Sequence, residues 1–312
     1  MGLRYTTYWI EVSPRAPLRL PAFAGSLVRG TLGRSLRNLA CVTRAPTCEG
    51  CGVARSCQYR RLFDPLPPAE HDLQQFSAIS PPFVLQLAHW REGVVQPGQL
   101  LRIGLTLVGT ARDALPLMLL ALQRALEDGW LQERVALELK RVIAEGPDDA
   151  QVVLEGPGDR LREHGDSAAI TAPPPAERIE ASVAVELLTP ARLTQQGKPA
   201  TASTLTARTW LMTLLRRVAL LADFHGEGLD IDFGAWAPLL AETRIEDAQL
   251  RWQEWTRYSG RQRQEMPMGG LVGRMTLTGP IGALLPLIEA AAPLHVGKHA
   301  AFGMGAYRVL GG

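Results

Sequence analysis

All four cysteines of this 312-residue chain fall in one short stretch, as Cys41-x6-Cys48-x2-Cys51-x5-Cys57. Four thiolates close a tetrahedral shell around Zn²⁺ and leave no position open for water, so the pattern points to a structural metal and away from a metallohydrolase centre. An iron–sulfur cluster would use the same four ligands. Gly50 and Gly52 flank Cys51 and permit the tight turn that such a ligand pair requires.

A second group of reactive residues stands near the C-terminus, in LHVGKHAAFGMGAYRV (294–309). Gly297, Gly303 and Gly305 would let the backbone pass close to another chain, and successive N–H groups in such a turn can form an anion-binding nest, to which Lys298 adds a charge. The loop, 295–305, is not a nucleotide-binding P-loop, because Ala292 occupies the place of that motif's first glycine. No dinucleotide-binding order is present either, so no nucleotide cofactor is expected.

The net charge of +2 conceals a segregation. Residues 1–61 carry ten Arg against Glu11 and Glu49, a net +8; residues 251–312 carry six Arg and Lys298 against three Glu, a net +4; the middle is left at −10. Basic ends are what a polyanion site needs if they meet in one cleft, because phosphate binding gains from counterion release. Only three of the 33 basic residues are Lys, and the planar fork of Arg suits phosphate. The N-terminal MGLRYTTYWIEV has no leader pattern, and no apolar run approaches the ~20 residues of a membrane span. A cytoplasmic protein with no membrane association is expected.

The elements that must position these groups follow from periodicity. Residues 4–12 read as a strand. The segment 24–40 reads as a helix with Val28, Leu32, Leu36 and Leu39 on one face and Arg34 and Arg37 on the other. The cysteine loop (41–65) precedes strands at 81–87 and 100–109, a helix from near Asp113 to Gly129, and a strand around 134–144. Residues 145–178 are rich in Gly, Pro and acids, and TAPPPAE (171–177) reads as the linker, with a boundary near 175. The rhythm then recurs: a strand at 179–188, a helix at 202–224, a strand at 271–279, a short helix over 281–288 and a strand at 306–310. The fold class predicted is α+β, two tandem ferredoxin-like (RRM-like) β-α-β-β-α-β domains over 1–175 and 176–312, with the cysteine loop inserted in the first.

RYSGRQ, MGGLVG, HVGK and FGMGAYRV, in that order within 257–310, resemble the C-terminal region of the CRISPR-associated pre-crRNA endoribonucleases of the RAMP superfamily, the glycine-rich-loop group. LVRGTLGRSLRNLAC (27–41), YRRLFD (59–64), PPFV (81–84), LLTPARL (187–193) and FHG (224–226) extend the resemblance over nearly the whole chain. It implies a protein that grips CRISPR repeat RNA and cuts it with no catalytic cofactor. A side chain helps the 2′-hydroxyl attack the adjacent phosphate, leaving a 2′,3′-cyclic phosphate and a 5′-hydroxyl. The mature crRNA and subunits of a CRISPR effector complex are the further partners it implies. The alternative is a crRNA-binding RAMP subunit that does not cut.

Such chemistry needs a base, an acid and positive charge on the phosphorane, and histidine suits the first two roles. His295, beside the glycine loop, is the first candidate, with Lys298 as the cation and His225, at the end of the long helix, behind it. On that expectation His295→Ala abolishes cleavage and keeps RNA binding. His71 and His164 fall in a polar loop and the linker and are set aside. RNA contacts are expected from Arg29, Arg34, Arg37, Arg257, Arg261, Gly297, His299, Gly303 and Gly305. Many relatives place a catalytic histidine on or after the first helix, yet residues 13–65 contain none. That departure raises an arginine-assisted version through Arg29, Arg34 or Arg37, or a tyrosine such as Tyr258.

Overall fold

Aromatic and β-branched residues from Tyr5 to Val12 favour extended backbone, and they form most of strand β1 (Leu3–Pro14). The computed structural model describes residues 2–68, 70, 78–131, 133–259 and 264–311, with the backbone alone over 256–259 and 264–267. The chain divides into two units, Tyr5–Leu85 with Trp90–Ser167, and Met1–Arg4 with Gln86–His89 and Ala168–Gly312.

In the first unit, β1 is followed by helices α1 (Gly25–Ala40) and α2 (Gln58–Phe63). Strands β2 (Phe83–Gln86) and β3 (Leu101–Val108), helix α3 (Leu115–Glu127) and strands β4 (Leu137–Glu145) and β5 (Ala150–Leu154) complete it. The sheet order is β2-β3-β1-β4-β5, with β1 antiparallel to both neighbours. Val28, Leu32 and Leu36 bury the predicted face of α1. Gly33 is what lets α2 lie on that helix: a Cβ there would stand 2.2 Å from the Phe63 ring. A 3₁₀ turn (Gly109–Ala114) replaces the predicted helix start at Asp113, and α3 opens at Leu115 with a proline in its first turn, where the missing N–H removes no helical bond.

The second unit contains β6 (Ala181–Ala191), α4 (Ala207–His225), α5 (Phe233–Glu242), β7 (Arg244–Gln253), β8 (Gly270–Gly279), α6 (Leu285–Ala290) and β9 (Tyr307–Leu310). Its order, β7-β8-β6-β9, repeats that of β2, β3, β1 and β4. Helix α4 starts at Ala207, not at 202, because the Thr206 hydroxyl caps it, accepting from the Thr209 N–H at 3.2 Å. The predicted stripe Leu211, Leu214, Leu215, Val218 and Leu221 is buried. The Gly- and Pro-rich segment before the predicted linker holds β5 and a strand at Ala168–Ile170. His164 is no linker residue: its Nε2 lies 2.8 Å from the Tyr8 hydroxyl, with the two rings edge to face at 5.3 Å.

Both sheets place a glutamate on the first strand between arginines of the third and fourth. Glu11 on β1 pairs with Arg102 and Arg141, directly opposite it on β3 and β4. Glu186 on β6 does the same with Arg274 and Arg308 on β8 and β9. The Arg141 and Arg102 hydrogen bonds hold the Glu11 carboxyl below its ordinary range against the effect of burial. Burial alone would raise Glu186, and Arg308 and Arg274 bring it below the ordinary range. Among the described residues no helix is long and apolar enough to cross a membrane.

Candidate catalytic loop and nucleic-acid surface

In the second unit the backbone between Leu294 and Ala306 turns repeatedly through positive φ. Values are 61° at His295, 83° at Gly297, 69° at His299, 83° at Gly303 and 74° at Gly305. A Cβ on Gly305 would stand 1.9 Å from the Val296 carbonyl oxygen, and one on Gly297 would stand 2.6 Å from that of Arg192. The close approach that requires glycine is therefore to the protein's own backbone. The amides are engaged internally too: Val296 donates to Gly305 (2.8 Å), Lys298 to Arg192 (3.1 Å), Gly303 to Ala300 (2.8 Å) and Gly305 to Pro190 (3.0 Å). At these positions the loop cannot offer the nest of free N–H groups that its composition suggested, and it presents side chains instead.

His295 is one of the most enclosed polar groups, 1% exposed. Its Nδ1 lies 3.0 Å from the Met304 carbonyl oxygen and its Nε2 2.8 Å from Oε1 of Gln86, whose Nε2 donates to the Pro293 carbonyl at 2.7 Å. With ψ at 172°, the residue occupies a backbone region normally reserved for glycine, a strain of about 1–3 kcal/mol that surrounding contacts must hold. Burial pushes its pKa down to about 3, the Met304 carbonyl opposes this in part, and the Arg217 cation adds to it. Arg217 itself donates from Nε to the Leu294 carbonyl at 2.7 Å. Both ring nitrogens are thus engaged and burial favours the neutral ring, an arrangement that anchors the loop.

That anchor has a pH signature. The unfolded ring takes up a proton near pH 6.5 and the folded ring resists until about 3, so the contribution is complete above pH 6.5 and declines below it, by up to about 1.4 kcal/mol per unit. Urea melts of His295→Gln, which cannot titrate, are expected to lack this component between pH 7 and 5. Identical slopes in variant and wild type would contradict the anchoring role.

His225, the last residue of α4, is also buried, with its ring edge-on to Phe224 at 6.4 Å. Lys298 and His299, by contrast, are adjacent and exposed. The His299 ring stands edge-on to Phe302 at 5.9 Å, on a left-handed backbone. This pair gives the loop one accessible imidazole beside one accessible ammonium.

In the first unit, the face of α1 away from its core carries Gly30, Arg34, Arg37 and Asn38, one stripe at helical spacing. The Arg29 guanidinium lies 4.2 Å from the Phe63 ring centroid and donates to the Phe63 carbonyl at 3.3 Å. Arg37 donates to the carbonyls of Ala45 and, at 2.9 Å, Pro46, tying the cysteine loop to the helix. Arg34 is exposed and makes no hydrogen bond or ion pair with the described residues. Of the other predicted RNA contacts, Arg257 sits on a short strand opposite Met266, and Arg261 lies outside the described residues, as does His71.

All four cysteines are free, half-buried and line one small pocket with Thr43, Tyr59 and Arg60. The Thr43 Oγ1 lies 3.7 Å from the Cys41 Sγ and 3.8 Å from the Cys51 Sγ. The lining contains no carboxylate, so the donor chemistry is that of a thiolate site. Among the described residues no three His, Cys, Asp or Glu side chains converge closely enough to form a ligand set.

Residues 3–166 match AF_1859_N, an N-terminal-domain family model, and residues 185–307 match the model of the CRISPR-associated endoribonuclease Cas6. Residues 185–307 are a Cas6 endoribonuclease domain. Cas6 proteins process pre-crRNA, and the chain is an endoribonuclease of that kind. Solved Cas6 structures share its fold. A Cas6 product complex aligns at a TM-score of 0.55 and 16% identity, covering 98% of this chain and 99% of that one. A Thermus thermophilus Cas6 aligns at 0.52 and 16%, covering 99% and 100%. A chain of a partial Cas6-RT-Cas1–Cas2 complex aligns at 0.58 and 12%, covering 99% of this chain and 46% of that one. No curated protein matches by sequence.

Proposed function

We propose that this chain cleaves CRISPR precursor RNA within its repeats by attack of a 2′-hydroxyl on the adjacent phosphate. The bond from the 2′-oxygen to phosphorus forms and the bond from phosphorus to the 5′-oxygen breaks. A base takes the 2′ proton and an acid supplies one to the leaving oxygen. The products are a 2′,3′-cyclic phosphate and a 5′-hydroxyl, with no metal in the chemistry, and the protein keeps the mature crRNA bound. The observation that carries this reading is the match of residues 185–307, glycine loop included, to the Cas6 endoribonuclease model.

Within the loop, the exposed pair supports a reassignment of roles. His299 serves as proton carrier and Lys298 stabilises charge on the phosphorane, while His295 holds the turn that presents them. Arg29, Arg34 and Arg37 serve as phosphate contacts of the first unit. The two matching strand orders support a ferredoxin-like fold for each unit. The four cysteines serve as a structural site for Zn²⁺ or an iron–sulfur cluster that fixes the loop held by Arg37. An RNA transcript as substrate puts the protein in the cytoplasm, and other CRISPR effector subunits are its natural partners.

The test is incubation of purified protein with end-labelled repeat RNA in EDTA. One cut at a single position, reduced at least about tenfold in His299→Ala, is expected. Tight binding with no product would make the chain a scaffold subunit and overturn the proposal. Metal analysis of anaerobically purified protein, with a visible absorption scan, is expected to return about one zinc, or an iron–sulfur spectrum, per chain; protein lacking both would remove the cysteine assignment.

A further inference from the structure

Beside the exposed stripe of α1 lies an open pocket of about 270 Å³, bordered by Gly30, Arg34, Arg37, Asn38, Tyr59 and Phe63. Three of these present polar groups with no hydrogen-bond or ion-pair partner among the described residues: the Arg34 guanidinium, the Asn38 amide and the Tyr59 hydroxyl. The floor is preassembled. Tyr59 stacks on Phe63 with ring centroids 5.4 Å apart, and Arg29 covers the Phe63 ring. Gly33 permits this packing, since any side chain there would meet that ring. A second opening of about 480 Å³ shares Arg37 and Asn38 and continues past Arg44 to Pro46.

An aromatic ring, an amide able both to donate and to accept, and an unpaired guanidinium make up the recognition set of an unstacked nucleotide. A bare phosphate would use the cation alone, and an acidic peptide would make no use of a stacked aromatic. The neighbouring opening, with Arg37 and Arg44 on its border, gives the adjoining phosphates a path. We propose that this pocket takes one extruded nucleotide of the bound RNA, its base against Tyr59 with an edge on Asn38 and its phosphate on Arg34. The inference rests on the RNA-processing reading above and adds to it a site in the first unit that sets which nucleotide is held.

Gly30 makes the test clean. A Cβ added there meets no atom within 4 Å, and replacing a mid-helix glycine stabilises a helix by roughly 0.5–1 kcal/mol. Gly30→Trp thus plugs the pocket without disturbing the core, and Gly30→Ala is its control. Repeat RNAs carrying 2-aminopurine at each position in turn are titrated against the wild-type protein and both variants. We expect one position to change fluorescence on binding wild type and Gly30→Ala but not Gly30→Trp. Affinity is expected to fall about tenfold in Gly30→Trp and in Tyr59→Ala, the scale of one base stack removed. Wild-type affinity and fluorescence in a Gly30→Trp protein that still cuts RNA would refute the pocket and leave the enzyme reading standing. A wild-type protein that neither binds nor cuts repeat RNA would overturn both.

Discussion

Gly305→Ala is expected to destabilise the protein by at least about 3 kcal/mol, one of the two largest effects anticipated here. Two costs combine. An L-residue at φ 74° loses roughly 1–2 kcal/mol against glycine in the left-handed region, and the added Cβ would lie 1.9 Å from a backbone carbonyl that cannot swing aside. That carbonyl belongs to Val296, whose N–H donates to Gly305 at 2.8 Å, while Gly305 donates to Pro190 at 3.0 Å. Relieving the clash therefore breaks the bonds that close the loop. Gly98→Ala separates the two costs, because Gly98 has φ 85° with nothing within 4 Å of a Cβ. Urea melts at pH 7 are expected to show about 1 kcal/mol for Gly98→Ala and several times that for Gly305→Ala. Equal losses would mean that the loop is not packed as described.

Arg34→Glu is expected to weaken repeat-RNA binding by about 10- to 100-fold at moderate salt, with little change in melting temperature. The residue is exposed and unpartnered among the described residues, so reversing its charge disturbs no internal bond, whereas a phosphate beside it would meet repulsion. A plot of log affinity against log salt should also become shallower, by roughly 0.7 for each single-strand phosphate that is no longer neutralised. Arg29→Ala makes the comparison informative, because Arg29 also covers Phe63 and bonds its carbonyl, so that variant is expected to lose stability as well as affinity. Unchanged RNA binding in Arg34→Glu would remove α1 from the RNA-binding surface.

The regular elements were legible wherever burial was one-sided. Val28, Leu32 and Leu36 marked α1, and the leucine stripe marked α4, because each helix hides one face. Strand β7 gave no such signal: RIEDAQLRWQ keeps most of its side chains exposed along an edge strand, so its partner β8 dictates its conformation and its own periodicity does not. The glycine loop was legible as a run of glycines, but its internal hydrogen bonding was not. His295 and His299 are four residues apart and chemically identical, and what separates them is a bond to Gln86, 209 residues away, and the burial that comes with it. The pocket on α1 was half visible. Arg34 and Asn38 share a stripe by spacing alone, but Tyr59 joins them only through the packing of Phe63 on Gly33.

Replacing the nucleotide 5′ of the cut with its 2′-deoxy counterpart tests the central claim most directly. The substituted repeat RNA is expected to bind as tightly as the ribose form and to remain whole in EDTA, while the unsubstituted RNA is cut at one position and yields a 2′,3′-cyclic phosphate. Cleavage of the deoxy-substituted RNA at that same position would contradict the account, because the attacking oxygen it assigns would be absent.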